Sequence, residues 1–151
     1  MESNTSLVEF GTSFQSKVIA SCLTDTMFLQ TIMEVLQPEY FESDSNKWLV
    51  KEIHNYFIKY KTTPTLEAIK IAIDDVENDV LKISVVEALK DAWRHREATD
   101  LQFVQEKTLE FCKNQVIKSA IMESVTLLEN QNYDGIKTVI DSAMKAGTAV
   151  D

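Results

Sequence analysis

Glycine and proline are scarce in this sequence, which has only three glycines and two prolines in 151 residues. Proteins built from many short strands need a turn roughly every 8–12 residues, and glycine and proline supply most of those turns. The scarcity therefore excludes most all-β folds. It also excludes the common glycine-loop nucleotide sites, because the isolated Gly11, Gly135 and Gly147 cannot form a phosphate-binding or dinucleotide-binding loop.

Basic side chains are in the minority, with 15 lysines and arginines against 24 acids and a net charge of −9. Affinity for nucleic acid comes largely from lysine and arginine on phosphates, so this balance predicts weak or no direct binding to nucleic acid. It favours protein partners instead. One acidic run contains Asp74, Asp75, Glu77 and Asp79. Such runs are typical of solvated helix faces.

Cysteine is rare, and neither copy belongs to a Cys-x-x-Cys unit. Cys22 and Cys112 lie within apolar helical patterns, which predicts buried, unreactive thiols in a reducing compartment. The first residues lack the basic stretch and apolar run of a secretory signal, and no window approaches about 18 apolar residues. We therefore expect a cytoplasmic protein with no membrane association.

The sequence contains no recognisable catalytic or metal-binding constellation. A metal site in a helical bundle typically uses Glu-x-x-His pairs on facing helices, but Glu52 and His54 are two residues apart and fall on different faces. His95 stands between Arg94 and Arg96, which disfavours a cation. We predict no metal, no cofactor and no enzymatic activity for this chain.

Helical periodicity dominates the chain and predicts an all-α protein of about seven helices. Apolar residues recur at helical spacing in segments that begin near residues 13, 25, 47, 65, 81, 101 and 136. Pro38 is expected to close the second helix, because the residue before a proline resists the α conformation. The longest segment runs from Leu101 to about Asn130 without glycine or proline, which corresponds to a helix of about 45 Å.

We expect one domain with two parts, a compact helical bundle over residues 13–76 and a long helical hairpin with a terminal helix over residues 77–146. Residues 147–151 are predicted as a frayed end or the start of a linker. The hairpin would pair the helix of Leu81–Arg96 with the long helix. Several apolar residues would remain at its far end: Val116, Ile117, Ile121, Leu127 and Leu128. Either a second subunit or the terminal helix Ile136–Met144 could cover them.

Six aromatic residues lie near lysines in one third of the chain: Tyr40, Phe41, Trp48, Tyr56, Phe57 and Tyr60, beside Lys47, Lys51, Lys59 and Lys61. Such a face could stack single-stranded nucleic acid, which uses aromatic and basic residues together. The helical spacing instead favours a core of aromatic side chains with the lysines toward water. Trp93 is expected to pack between hairpin and bundle.

The segment PEYFESDSNKWLVKEIHNYFIKYKTTPTLEAIKIAI resembles the N-terminal domain of DnaB-family replicative DNA helicases, in the form found in large tailed phages. The similarity extends over about residues 14–146. It rests on packing residues at corresponding places: Tyr40, Phe41, Phe57, Tyr60, Pro64, Thr65, Leu66, Phe103 and Val104.

This resemblance implies a helical bundle followed by a hairpin that pairs with its neighbour in a collar above an ATPase ring. The collar of such helicases contacts primase and, in some systems, a helicase loader. The implied partners are therefore further copies of the chain, primase and a loader, in the cytoplasm of a host cell. The motor with its phosphate loop is absent from the 151 residues. The resemblance thus implies either an excised domain, which the bare end favours, or a stand-alone collar protein.

The leading interpretation is a non-catalytic collar domain that assembles subunits and docks primase or a loader. Its subunit interface is expected on the apolar residues of the hairpin: Leu81, Val85, Leu89, Trp93, Val104, Phe111, Val116, Ala120 and Leu127. Two other interpretations stay open. One is the helicase-binding domain of a primase, which is similar in architecture. The other is a small helical protein that binds single-stranded DNA or loads a helicase.

Overall fold

The fold is all-α, as the periodicity predicts. A computed structural model describes residues 6–148, and within that range it contains seven α-helices and no strand. The helices are α1 (Thr12–Thr24), α2 (Thr26–Ile32), α3 (Asp44–Tyr60), α4 (Leu66–Asp74), α5 (Asp79–Arg94), α6 (Leu101–Glu129) and α7 (Tyr133–Lys145). Two short 3₁₀ turns, Val8–Phe10 and Pro38–Tyr40, precede α1 and α3.

Most helices begin at a side chain that caps their first turn. A side-chain oxygen accepts a hydrogen bond from a backbone N–H at 2.9–3.1 Å in five helices, at Asp25, Ser43, Thr65, Asn78 and Asn132. Each cap satisfies a donor that the helix start leaves free, and typically contributes about 1 kcal/mol. The polar residues between the periodic segments therefore set where these helices start.

Helix α2 ends earlier than the sequence predicts. We expected it to reach Pro38, but α2 stops at Ile32. The N–H groups of Val35 and Leu36 both donate to the Ile32 carbonyl, at 3.0 and 2.8 Å, and close a tighter turn. This turn places both side chains in the core. The apolar residues after Ile32 are therefore buried as their spacing predicts, although the helix itself is shorter.

Helix α1 lies at the centre of the bundle and contacts α2, α3, α5 and α6. All six residues from Val18 to Leu23 are buried, which is more than the single apolar face of a surface helix. Helix α5 packs on α1 and α3, and α4 packs on α5. The first part of α6 covers another side of α1, because Val104, Phe111 and Cys112 belong to the same core cluster.

The hairpin in the structure joins α6 to α7, which corrects the predicted pairing of α5 with α6. Residues 130–132 turn the chain back, so that α7 packs along α6. A connection of two to five residues is typical of such antiparallel pairs. The longer connection from α5 to α6 lets these helices lie on different sides of α1. Helix α5 thus belongs to the bundle, and the boundary predicted after residue 76 does not separate two packing units.

The chain stays packed immediately after α7. Gly147 is buried and adopts φ +73°, a conformation that favours glycine. A Cβ at this position would lie 3.2 Å from Leu109 Cδ1 and 3.4 Å from Val35 Cγ1, so the backbone approaches both side chains closely. Residue 147 is therefore packed where the sequence predicted a frayed end. Residues 149–151 of that prediction lie outside the described residues.

Gln15 is a polar residue enclosed in the bundle, with 1% of its surface exposed. Its Oε1 accepts a hydrogen bond from the backbone N–H of Glu42 at 2.9 Å, and its Nε2 donates to the Gly11 carbonyl at 3.2 Å. These two bonds connect the loop before α3 to the start of α1. They also satisfy a side chain whose burial without partners would be costly.

Replacement of Gln15 by alanine is expected to lower the free energy of unfolding by about 2–3 kcal/mol, because it removes the acceptor of Glu42 N–H and opens a cavity. Gln102→Ala, on the exposed side of α6, is the matched control. It should change stability by no more than about 0.5 kcal/mol. Urea unfolding followed by circular dichroism measures both variants. Equal losses in the two would contradict the role assigned to Gln15.

Candidate functional site

The nine residues predicted for a subunit interface do not share one surface. Five of them are buried within the single chain, each with at most 6% of its surface exposed: Val85, Leu89, Val104, Phe111 and Ala120. Four are partly exposed: Leu81, Trp93, Val116 and Leu127. A side chain already covered within its own chain is not available to a second copy. The five buried residues therefore stabilise the fold of the single chain and do not form a subunit interface.

Phe111, near the middle of α6, packs against aromatic residues of the same chain. Its ring lies edge-on to the rings of Phe10 and Tyr40, with centroids 6.2 and 5.2 Å away, and Phe10 stacks on Phe14 at 4.8 Å. Aromatic pairs of this geometry add to the free energy gained by burial. Burial also raises the pKa of Tyr40 to about 12, so its hydroxyl stays protonated. The cluster ties α6 to the turns before α1 and α3.

Helix α7 covers a second face of α6. Val116 and Ala120 of α6, with Val139 and Ala143 of α7, line an open groove of about 550 Å³ that also reaches Gln37 and Tyr40. Ala120 and Ala143 are buried, which lets the two helices approach closely. The terminal helix is therefore the element that covers this part of the long helix, one of the two arrangements that the sequence left open.

A separate apolar strip of α6 stays uncovered. Ile121, Val125 and Leu128 follow spacings of four and three residues, and they are 54%, 54% and 57% exposed. Met122 lies beside them and is 65% exposed. We call these four residues the arm surface. In the described part of the chain, no apolar residue of α6 beyond Val116 packs against the core cluster. The arm surface therefore belongs to a two-helix arm beyond the bundle.

Part of the arm surface belongs to the five apolar residues that the sequence left to either a second subunit or the terminal helix. Ile121 and Leu128 stay exposed in the single chain. The other three are partly covered: Val116, Ile117 and Leu127. Met122 and Val125 were missed. The signal for Val125 is its spacing from Ile121 and Leu128, which places all three on one helix face.

The aromatic residues near the lysines do not form a continuous stacking platform. Phe41 and Phe57 are 2% and 7% exposed and belong to the core, as the packing interpretation predicts. Tyr56 and Tyr60 remain near the end of α3, with ring centroids 4.6 Å apart and the Lys59 ammonium 5.2 Å from the Tyr60 ring. Successive bases need successive exposed rings, and this pair offers a short segment only.

Both thiols are buried, which confirms that part of the sequence analysis. Burial raises the pKa of Cys112 to about 12, and it raises the pKa of Cys22 further. The thiolate is the nucleophile and the metal ligand, so neither side chain is reactive at neutral pH.

Metal ligands do not converge in the part of the chain that the structure describes, where no group of three or more His, Cys, Asp or Glu side chains comes together. None of the helices within residues 6–148 is long and apolar enough to cross a membrane. His54 is partly buried on α3, and its Nε2 has no hydrogen-bond partner among the described residues.

Burial lowers the pKa of His54 from its usual value of 6.5, because the imidazolium loses hydration. As the pH falls through 6.5, His54 is protonated more readily in the unfolded chain than in the folded chain. The free energy of unfolding is therefore expected to fall as the pH decreases. His54→Gln should reduce this loss in urea titrations between about pH 5 and 7.5. The same substitution at His95 is the control for changes in total charge. If the stability of His54→Gln and of the wild type changes with pH in the same way, the burial of His54 does not cause the pH dependence.

Comparisons of the chain with models of protein families, with curated proteins and with solved structures return no match. The resemblance to helicase N-terminal domains therefore stays a prediction, and the function is argued from the residues of this chain.

Proposed function

We propose that this chain is a non-catalytic collar domain of a phage-type replicative DNA helicase. In this proposal, it assembles subunits through the arm and docks primase or a loader on another face. The observation that carries the assembly part is the arm surface, whose four large apolar side chains are each more than half exposed. Contiguous apolar patches of this kind usually mark sites of association.

The position of the arm surface supports assembly. Helix α6 has 29 residues and a length of about 43 Å, and its contacts with other helices are mainly with α1 and α7. Its first half is needed to close the bundle around α1. Its second half pairs with α7 and presents the arm surface away from that contact. A second copy of the arm can pack against this strip without disturbing the core of either chain.

The size of the patch sets how strong one contact can be. Burial of a half-exposed large apolar side chain contributes roughly 1 kcal/mol, so four residues from each of two subunits contribute roughly 8 kcal/mol. Association itself costs about 4–15 kcal/mol in lost freedom. The arm surface alone therefore supports a weak pair. A stable ring would need further contacts between neighbouring subunits, which is the arrangement that a collar provides.

The resemblance to helicase collars supports the remaining parts of the proposal. In that family the hairpins of neighbouring subunits pair, and here the hairpin is formed by α6 and α7. Docking of primase or a loader rests on the resemblance and on the acidic balance of the chain, which favours protein over nucleic acid as a partner. The absence of catalysis is likewise an expectation from the sequence.

Assembly is tested by measuring molar mass in solution as the concentration is raised. Light scattering of the wild-type chain should give an average mass that rises above 17.2 kDa with concentration. The double variant Ile121→Glu, Leu128→Glu should remain at the monomer mass with unchanged helicity, because two buried like charges at the contact oppose pairing. Ile58→Glu, which alters an exposed residue of α3, is the control and should still assemble.

Two results would contradict this proposal. The first is a wild-type chain that stays strictly monomeric at every concentration. The second is binding to oligothymidine that falls steeply as salt is raised, because that behaviour indicates a single-stranded DNA-binding protein.

A third variant, Phe111→Glu, distinguishes a core residue from an interface residue. It should unfold the monomer rather than only lower the assembled mass, because Phe111 is 6% exposed.

A further inference from the structure

A continuous groove runs along the exposed side of α5. Two adjoining cavities of about 360 and 330 Å³ share three lining residues, Ser43, Ser45 and Ser84, and therefore form one surface feature. One wall is α5, from Val80 to Asp91. The opposite wall consists of the first turn of α3 and, further along, the first part of α1. We call this feature the α5 groove.

The α5 groove combines hydroxyl groups with exposed apolar side chains. Val80 and Ile83 line it and are 76% and 67% exposed, although they stand on a helix whose other face is in the core. They are not needed for folding, since Val85, Leu89 and Ala92 supply the buried face of α5. An apolar ridge at the edge of a groove is typical of a surface that packs against a partner.

The charged groups that line the α5 groove are acidic among the residues that the structure describes. They are Asp44, Glu87 and Asp91, and no lysine, arginine or histidine within residues 6–148 lines it. Lys90 lies 3.8 Å from Glu87, and Arg94 pairs with Asp91, but both ion pairs are exposed. Exposed pairs contribute little free energy, so a partner's cations can replace them. The acidic run at residues 74–79 adds negative charge beside the start of α5.

We propose that the α5 groove binds a basic amphipathic helix of a partner protein. The wall from Val80 to Asp91 is about 17 Å long, which matches three helical turns. An apolar stripe at spacings of three and four residues would pack on Val80 and Ile83. Lysine or arginine on the flanks would meet Asp44, Glu87 and Asp91.

Other occupants fit the α5 groove less well. In a symmetric contact, a second copy of this chain would bring the same three acids against Asp44, Glu87 and Asp91. Phosphate groups of nucleic acid would be repelled by the three carboxylates. The helix starts that face the groove are capped by Ser43 and Asn78, and their first turns already hold Asp44 and Asp79. Those acids offset the partial positive charge that would otherwise attract an anion.

This inference rests on the docking part of the proposed function, for which it names a surface and a class of partner. The probe is a synthetic helical peptide of about 14 residues with leucine on one face and lysine on the other, with a glutamate version as its control. Titration into the isotopically labelled full chain should shift backbone NMR signals of Ser43–Asn46 and Val80–Asp91. The glutamate peptide should shift neither.

Ile83→Lys and Glu87→Lys should each weaken binding of the lysine peptide by about tenfold or more, since each places a like charge beside the partner's cations. Ile58→Lys and Glu97→Lys make the same changes at exposed positions outside the groove and should bind as the wild type does. All four positions are exposed, so folding is expected to be preserved, and circular dichroism checks it.

The α5 groove proposal is overturned by equal binding of both peptides, by signal shifts confined to the arm surface, or by no loss of affinity in Ile83→Lys and Glu87→Lys. Shifts in the groove caused by inorganic phosphate would instead assign it to an anion and would also overturn the proposal. Assembly is measured separately by mass. If the chain assembles but does not bind the lysine peptide, the groove proposal is wrong and the assembly proposal stands. If the chain is monomeric but binds the peptide, only the assembly proposal is wrong.

Discussion

The bundle is arranged by the need to enclose helix α1. Six successive residues of this helix are buried, so contact on one side is not enough to remove its apolar surface from water. Helices α2, α3, α5 and α6 surround it. The buried Gln15 extends the same constraint to the backbone, because it fixes the loop before α3 to the start of α1.

The long helix α6 serves two purposes that its sequence does not separate. Up to Val116 most of its apolar residues face the bundle, with Phe103 as an exposed exception, and beyond that point they face α7 on one side and water on the other. The change of face explains why residues with the same spacing have different roles. Phe111 holds the core together, whereas Ile121 and Leu128 remain free for a partner. The arm is thus an extension of a core helix, and its position is set by the bundle.

The two proposed interaction surfaces lie on different elements and have different chemistry. The arm surface is a strip of large apolar side chains, which suits a symmetric contact between copies of the chain. The α5 groove is bordered by carboxylates, which disfavours such a copy and suits a cationic partner. A domain with both features can assemble and dock a second protein at the same time, because neither contact occupies the residues of the other.

The helical class, the extent of α6 and the burial of both cysteines could be predicted from the amino-acid sequence. These properties depend on local spacing and on the polarity of single side chains, which are visible in the chain. The sequence also showed that the apolar residues near the end of α6 need cover from either a second subunit or the terminal helix. The partner of α6, the inclusion of α5 in the bundle and the separation of Phe111 from Ile121 were decided only by the tertiary structure. Helical periodicity shows which face of a helix is apolar, but the hydrophobic effect has no direction and does not specify which neighbour covers that face.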